Sequence, residues 1–72
     1  DFSTEMAAIR ARIETPSTTI QDIHIWQISE NDRSVILSIV SDDAHPSDYY
    51  HQQVNAVGNY RHITVEVNKK AP

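Results

Sequence analysis

The chain has 72 residues, a formal net charge of −4 and no cysteine, which leaves room for one domain, residues 1–72, and excludes disulfides and thiolate metal sites. A single core of this size contributes only about 3–5 kcal/mol of net stability, so a metal or a second subunit is the expected reinforcement. Six scattered lysines and arginines in an acidic chain argue against nucleic acid, and no apolar run approaches the roughly 20 residues that cross a bilayer.

Phe2 to Glu14 reads as a helix, because Phe2, Met6, Ile9 and Ile13 recur at steps of four, three and four and share a face. Ser3 or Thr4 is the expected cap, and Pro16 ends the segment. Ile20 to Ile28 is β-branched and aromatic and reads as a strand. Ser29 to Arg33 is the expected turn, and Ser34 to Val40 the second strand. A five-residue turn sets Ile25 opposite Leu37 and Ile23 opposite Ile39 on one face. It sets Trp26 opposite Ile36 and His24 opposite Ser38 on the other; a one-residue slip would mix the faces.

Ser41 to His45 is an acidic loop. Pro46 suits a helix start, Tyr50, Val54 and Val57 form its apolar stripe, and Gly58 or Asn59 stops it. His62 to Asn68 alternates as a third strand, and Lys69 to Pro72 is a polar tail expected to fray. The order αββαβ predicts an α+β domain with a three-stranded mixed sheet, its second and third strands parallel and both helices on one face. The other face then carries His24, Trp26, Ile28, Ile36, Ser38, Thr64 and Glu66. A patch of this kind, with Trp26, Ile28 and Ile36 exposed together, marks an interface.

No G-x-S-x-G, H-E-x-x-H or phosphate-loop pattern is present, so a binding module rather than an enzyme is expected. Metal coordination is the stronger chemistry. His24 and Glu66 share a face, and imidazole with carboxylate suits zinc, cobalt or nickel. Two strand spacings, about 9.6 Å, separate their strands, so a third ligand is needed. Asp48 and His51 share a helix face. Asp42, Asp43 and His45 form an acidic loop better suited to capping and turn roles. Trp26 reads as an interface anchor.

Two stretches resemble a known family. Ile20-Gln-Asp-Ile-His-Ile-Trp is similar to the D-L-H-I-W-type first strand in the cytosolic C-terminal domain of cation diffusion facilitator transporters. His62-Ile-Thr-Val-Glu-Val resembles the H-V-T-V-E-V ending of its cobalt- and nickel-handling branch, and the αββαβ order agrees over the whole chain. The resemblance implies a metallochaperone-like, truncated ferredoxin-like domain that forms a homodimer on the cytoplasmic side of the inner membrane. It implies a transmembrane domain in the same polypeptide, which suits a chain starting at Asp1 without an initiator methionine.

By the same resemblance, a divalent cobalt, nickel or zinc ion is held by His24, by His51 on the second helix and by Glu66, where zinc-transporting members have a histidine. Ser38 stands in place of a middle-strand histidine, and Asn68 in place of a carboxylate. Both departures point to fewer or weaker metals. From a different class, a soluble ferredoxin-like small-ligand or protein-interaction module without a metal role fits the same elements.

Overall fold

The computed structural model describes residues 1–70. It contains helix α1 (Ser3–Ile13), strands β1 (Thr18–Ser29) and β2 (Asp32–Ser41), helix α2 (Ser47–Asn55) and strand β3 (His62–Lys69). The strands form one mixed sheet in the order β1-β2-β3, with β1 antiparallel and β3 parallel to β2. This is the expected α+β arrangement, a small ferredoxin-like fold.

The core lies on one side of the sheet. Ile20, Ile23 and Ile25 of β1 and Val35, Leu37 and Ile39 of β2 are buried together with Ile9 and Ile13 of α1 and Tyr50 and Val54 of α2. Ile63, Val65 and Val67 of β3 pack against this cluster from the edge strand, so both helices cover the same face. Among the described residues, no protein layer covers the other face.

Several local expectations change. Helix α1 has no side-chain cap from Ser3 or Thr4. Instead Asp1 Oδ1 accepts the Ser3 amide at 2.8 Å and the Ser3 hydroxyl at 2.6 Å, so the acceptor sits two positions before Ser3. Helix α2 ends at Asn55, with Ala56 as its C-cap, rather than at Gly58 or Asn59. Gly58 earns its place differently, since a Cβ there would lie 3.1 Å from Arg33 Nη2. Lys69 belongs to β3 and the Lys70 amide donates to the Ser41 carbonyl at 3.1 Å. Ala71 and Pro72, the end of the tail expected to fray, lie outside the described residues.

The hairpin register also differs. The turn is Glu30–Asn31 alone, because Ser29 pairs with Asp32 and the strands run on through Gln27 and Arg33. Gln27 Nε2 donates to the Glu30 carbonyl at 3.3 Å and closes the turn. With the shorter turn, His24 faces Ile36 rather than Ser38, Trp26 faces Ser34 rather than Ile36, Ile23 faces Leu37 and Ile25 faces Val35. The displacement is two residues, the side-chain period of a strand, so every residue keeps its predicted face.

Two irregularities in β1 govern which side chains point outward. Between Ile20 and Asp22 the register shifts by one residue, and it shifts again between Gln27 and Ser29. The first bulge reverses the alternation. Thr18 and Ile20 are buried before it, Gln21 and Asp22 are both exposed at it, and Ile23 and Ile25 are buried after it. A hydrogen-bonded clasp from α1 fixes the bulge in place. The Ile20 amide donates to Glu14 Oε2 at 3.0 Å, and Arg10 Nη1 donates to both Glu14 Oε2 at 2.9 Å and the Ile20 carbonyl at 3.0 Å.

This phase makes a direct prediction for a mutation series. Ile20→Ala and Ile23→Ala should each destabilise the domain by about 2–5 kcal/mol as core truncations. Gln21→Ala and Asp22→Ala should stay within about 0.5 kcal/mol of the parent. Urea unfolding followed by Trp26 fluorescence reads all four. A large loss for Asp22→Ala with a small one for Ile23→Ala would contradict the bulge.

Candidate functional site

Three cross-strand rows build the uncovered face. Asp22, Ser38 and Glu66 form one row, His24, Ile36 and Thr64 the next, and Trp26, Ser34 and His62 the third. Trp26 is 44 % exposed, Ile36 40 % and Ile28 76 %, the last at the second bulge near the hairpin tip. The three interface residues expected from sequence are therefore the exposed large apolar side chains of the described residues.

The first two rows enclose a shallow depression of about 200 Å³ lined by Asp22, His24, Ile36, Leu37, Ser38, Thr64 and Glu66. On its β1 rim, His24 Nε2 lies 3.0 Å from Asp22 Oδ2. An ionised carboxylate only accepts hydrogen bonds, so Nε2 carries the proton in this pair. Both side chains are about two-thirds exposed, at 65 % and 62 %. On the β3 rim, Glu66 Oε1 accepts from Ser38 Oγ at 3.2 Å and from Asn68 Nδ2 at 2.9 Å. The two residues that depart from the family pattern thus orient Glu66.

His24 and Glu66 face the same depression, as the sequence implied, but from its opposite rims. His51 is not brought to them. It stands half-buried on α2, which covers the other side of the sheet. Among the described residues no three histidine, aspartate or glutamate side chains converge on a common point. One chain consequently offers a divalent ion at most a partial donor set here, and the fit is best at Asp22 and His24. Two donors about 2.0–2.2 Å from zinc lie about 2.9 Å apart at a right angle and about 3.4 Å apart at the tetrahedral angle. The Asp22–His24 separation falls in that interval.

Asp22 was absent from the residues singled out by sequence. The available signal was the alternation Asp22-Ile23-His24, which puts the two polar side chains on one face of a strand.

The acidic loop is structural. Asp43 Oδ1 accepts from Ser17 Oγ at 2.7 Å and from Ser41 Oγ at 3.2 Å, and these bonds hold its carboxyl below the usual aspartate range. Beneath it, Thr18 Oγ1 and Ser41 Oγ share a buried hydrogen bond of 2.6 Å. The His45 ring stacks on Tyr49 with centroids 3.9 Å apart, and the His45 amide donates to the Tyr50 hydroxyl at 3.0 Å.

A larger and more polar depression, about 390 Å³, lies at the hairpin end between Gln27, Glu30, Asn31, Arg33 and Asn59. Its guanidinium is already committed. Arg33 Nη1 donates to Glu5 Oε1 at 2.5 Å and lies over the Tyr60 ring, while the Tyr60 hydroxyl donates to Glu5 Oε2. The smaller depression, with an exposed histidine and carboxylates on its rims, is the better candidate.

Comparison with protein-family models and with curated proteins gives no match.

Burial and the Glu5 carboxylate push the Tyr60 phenol up to about 12. Because the folded value exceeds the unfolded one near 10, this linkage leaves stability unchanged below pH 10. Stability then falls as pH rises from about 10 towards 12, where the unfolded chain ionises first. NMR of tyrosine labelled with ¹³C at Cζ should show Tyr60 ionising near pH 12, and Glu5→Gln should move it towards 10. An unmoved titration in Glu5→Gln would remove the carboxylate from the cause.

Proposed function

We infer that the chain is a cytosolic dimerisation and metal-sensing regulatory domain of a divalent cation efflux transporter, handling cobalt, nickel or zinc. The observation that carries this reading is the uncovered sheet face, where Trp26 and Ile36 adjoin the depression rimmed by His24, Asp22 and Glu66. A face that joins exposed aromatic and aliphatic surface to metal-ligating groups serves association and ion binding together. The first-strand and third-strand motifs support the same assignment.

In this role a second copy covers Trp26, Ile28 and Ile36, and His24 and Glu66 supply donors from the open face. His51 supplies a separate donor from α2. The transmembrane domain of the same polypeptide places the assembly on the cytoplasmic side of the membrane. The domain carries no catalytic step of its own. Carboxylates of two copies brought face to face repel each other, and a divalent cation between them offsets that repulsion.

Calorimetric titration with zinc, cobalt and nickel tests the sensing role. Heat is expected with the parent chain, and affinity should fall about tenfold or more in His24→Ala, with a smaller loss in His51→Ala. Absence of heat together with an unchanged melting temperature would leave the ferredoxin-like interaction module without a metal role as the better reading. Sedimentation tests the interface: Trp26→Ala should weaken self-association by about 2 kcal/mol, roughly thirtyfold. A parent chain that sediments as a monomer at high concentration would refute the dimer.

A further inference from the structure

We propose that Asp22 binds the same divalent cation as His24, so that β1 by itself supplies a two-donor half-site on the rim of the open face. This rests on the metal-sensing reading above and names a ligand that the motif resemblance does not supply. Its basis is geometric. Asp22 and His24 are two residues apart on one strand and on one face, and their polar atoms already stand 3.0 Å apart. A zinc-like ion with bonds of about 2.0–2.2 Å to each atom needs a separation of about 2.9–3.4 Å. An ion can therefore bridge the two atoms from beside the line that joins them, with their separation little changed. The Nε2 proton leaves that nitrogen, and Nδ1 carries the ring proton of the neutral imidazole while Nε2 binds the ion.

Glu66 is less well placed for that ion. Its strand is two spacings away, about 9.6 Å, and its Oε1 is held by Ser38 and Asn68. The bulge after Ile20 sets the face to which Asp22 and His24 both point. With uninterrupted alternation from Thr18 and Ile20, residues 22 and 24 would both point into the core; the extra residue turns the pair outward together. The exposure of both side chains leaves the remaining coordination positions to water or to donors of a second copy.

The experiment is a zinc titration of the 72-residue chain by calorimetry, with Asp22→Asn, His24→Ala and Glu66→Gln compared under the same conditions. Asn at 22 keeps the shape and an acceptor for Nε2 but removes the charge. Circular dichroism and the melting temperature of each variant report folding, which these exposed positions should leave intact. Asp22→Asn should lose at least tenfold in affinity, close to the loss in His24→Ala, while Glu66→Gln, on the opposite rim, loses distinctly less. Long-range ¹H–¹⁵N correlation of the parent should show Nε2, rather than Nδ1, of His24 bound to zinc.

Unchanged or tighter zinc binding in Asp22→Asn overturns the proposal, the tighter case meaning that Asp22 only competes for Nε2. Zinc on Nδ1, or a loss in Glu66→Gln as large as that in His24→Ala, overturns it as well. In each of these cases His24→Ala still weakens binding and the sensing role stands. No zinc binding by the parent chain overturns the sensing role and the half-site together.

Discussion

Between Ile20 and Asp22 the first strand spends one residue more than its partner offers, and both faces of the sheet follow from that residue. Thr18 and Ile20 reach the core with one parity, and Ile23 and Ile25 with the other. Were the alternation unbroken, either the first pair or the second would face water, and an isoleucine left outside forfeits about 1.5–3 kcal/mol. The bulge reconciles them. It is anchored where α1 returns to the sheet, with Glu14 and Arg10 saturating the outer hydrogen-bonding groups of Ile20. That same clasp closes part of a free strand edge that would otherwise template pairing with another chain.

The rest of the scaffold is tied at its two ends. At the hairpin end, Glu5 gathers Arg33 and Tyr60, linking α1, β2 and the segment before β3. At the opposite end, Asp43 and the Thr18–Ser41 hydroxyl pair close β1 against β2. Each cluster satisfies polar groups close to the core that would otherwise be costly to bury. None of these contacts draws on His24, Trp26, Ile36 or Glu66. The open face stays accessible to solvent while the layer beneath it is fixed.

Much of this was legible in the sequence. The 3.6-residue periodicity of Met6, Ile9 and Ile13 and the alternation of Ile63, Val65 and Val67 specify their elements without reference to the rest of the chain. The uncovered face was legible for a less obvious reason. Its register was misjudged by two residues, because Asp32 and Arg33 look like turn residues yet belong to β2. An error of two leaves each side chain on its proper face. What it altered was the partner: His24 lies against Ile36, and Asp22 against Ser38. The bulge itself had a signature, since Ile20 and Ile23 are three apart and an unbroken strand cannot bury both. Asp22 shares the face of His24 by plain alternation, and the inserted residue turns both towards the open side.

Rim position and exposure decide how such a face responds to an ion. A donor pair open to water on one side retains coordination positions that a single chain does not fill, so ion affinity rises when a second copy brings donors. Association must rise by the same factor when the ion is bound, because the coupling between two binding events is reciprocal. The apolar patch of Trp26 and Ile36 borders the depression rather than lying on a distant surface, so burying one desolvates the other. In the proposed dimer, removing water would strengthen the attraction between a cation and the Asp22 and Glu66 carboxylates, and it would magnify the repulsion between those carboxylates when no cation is present. In the proposed dimer of an acidic chain with a net charge of −4, that difference would give the ion its influence over pairing, with no rearrangement of the fold required.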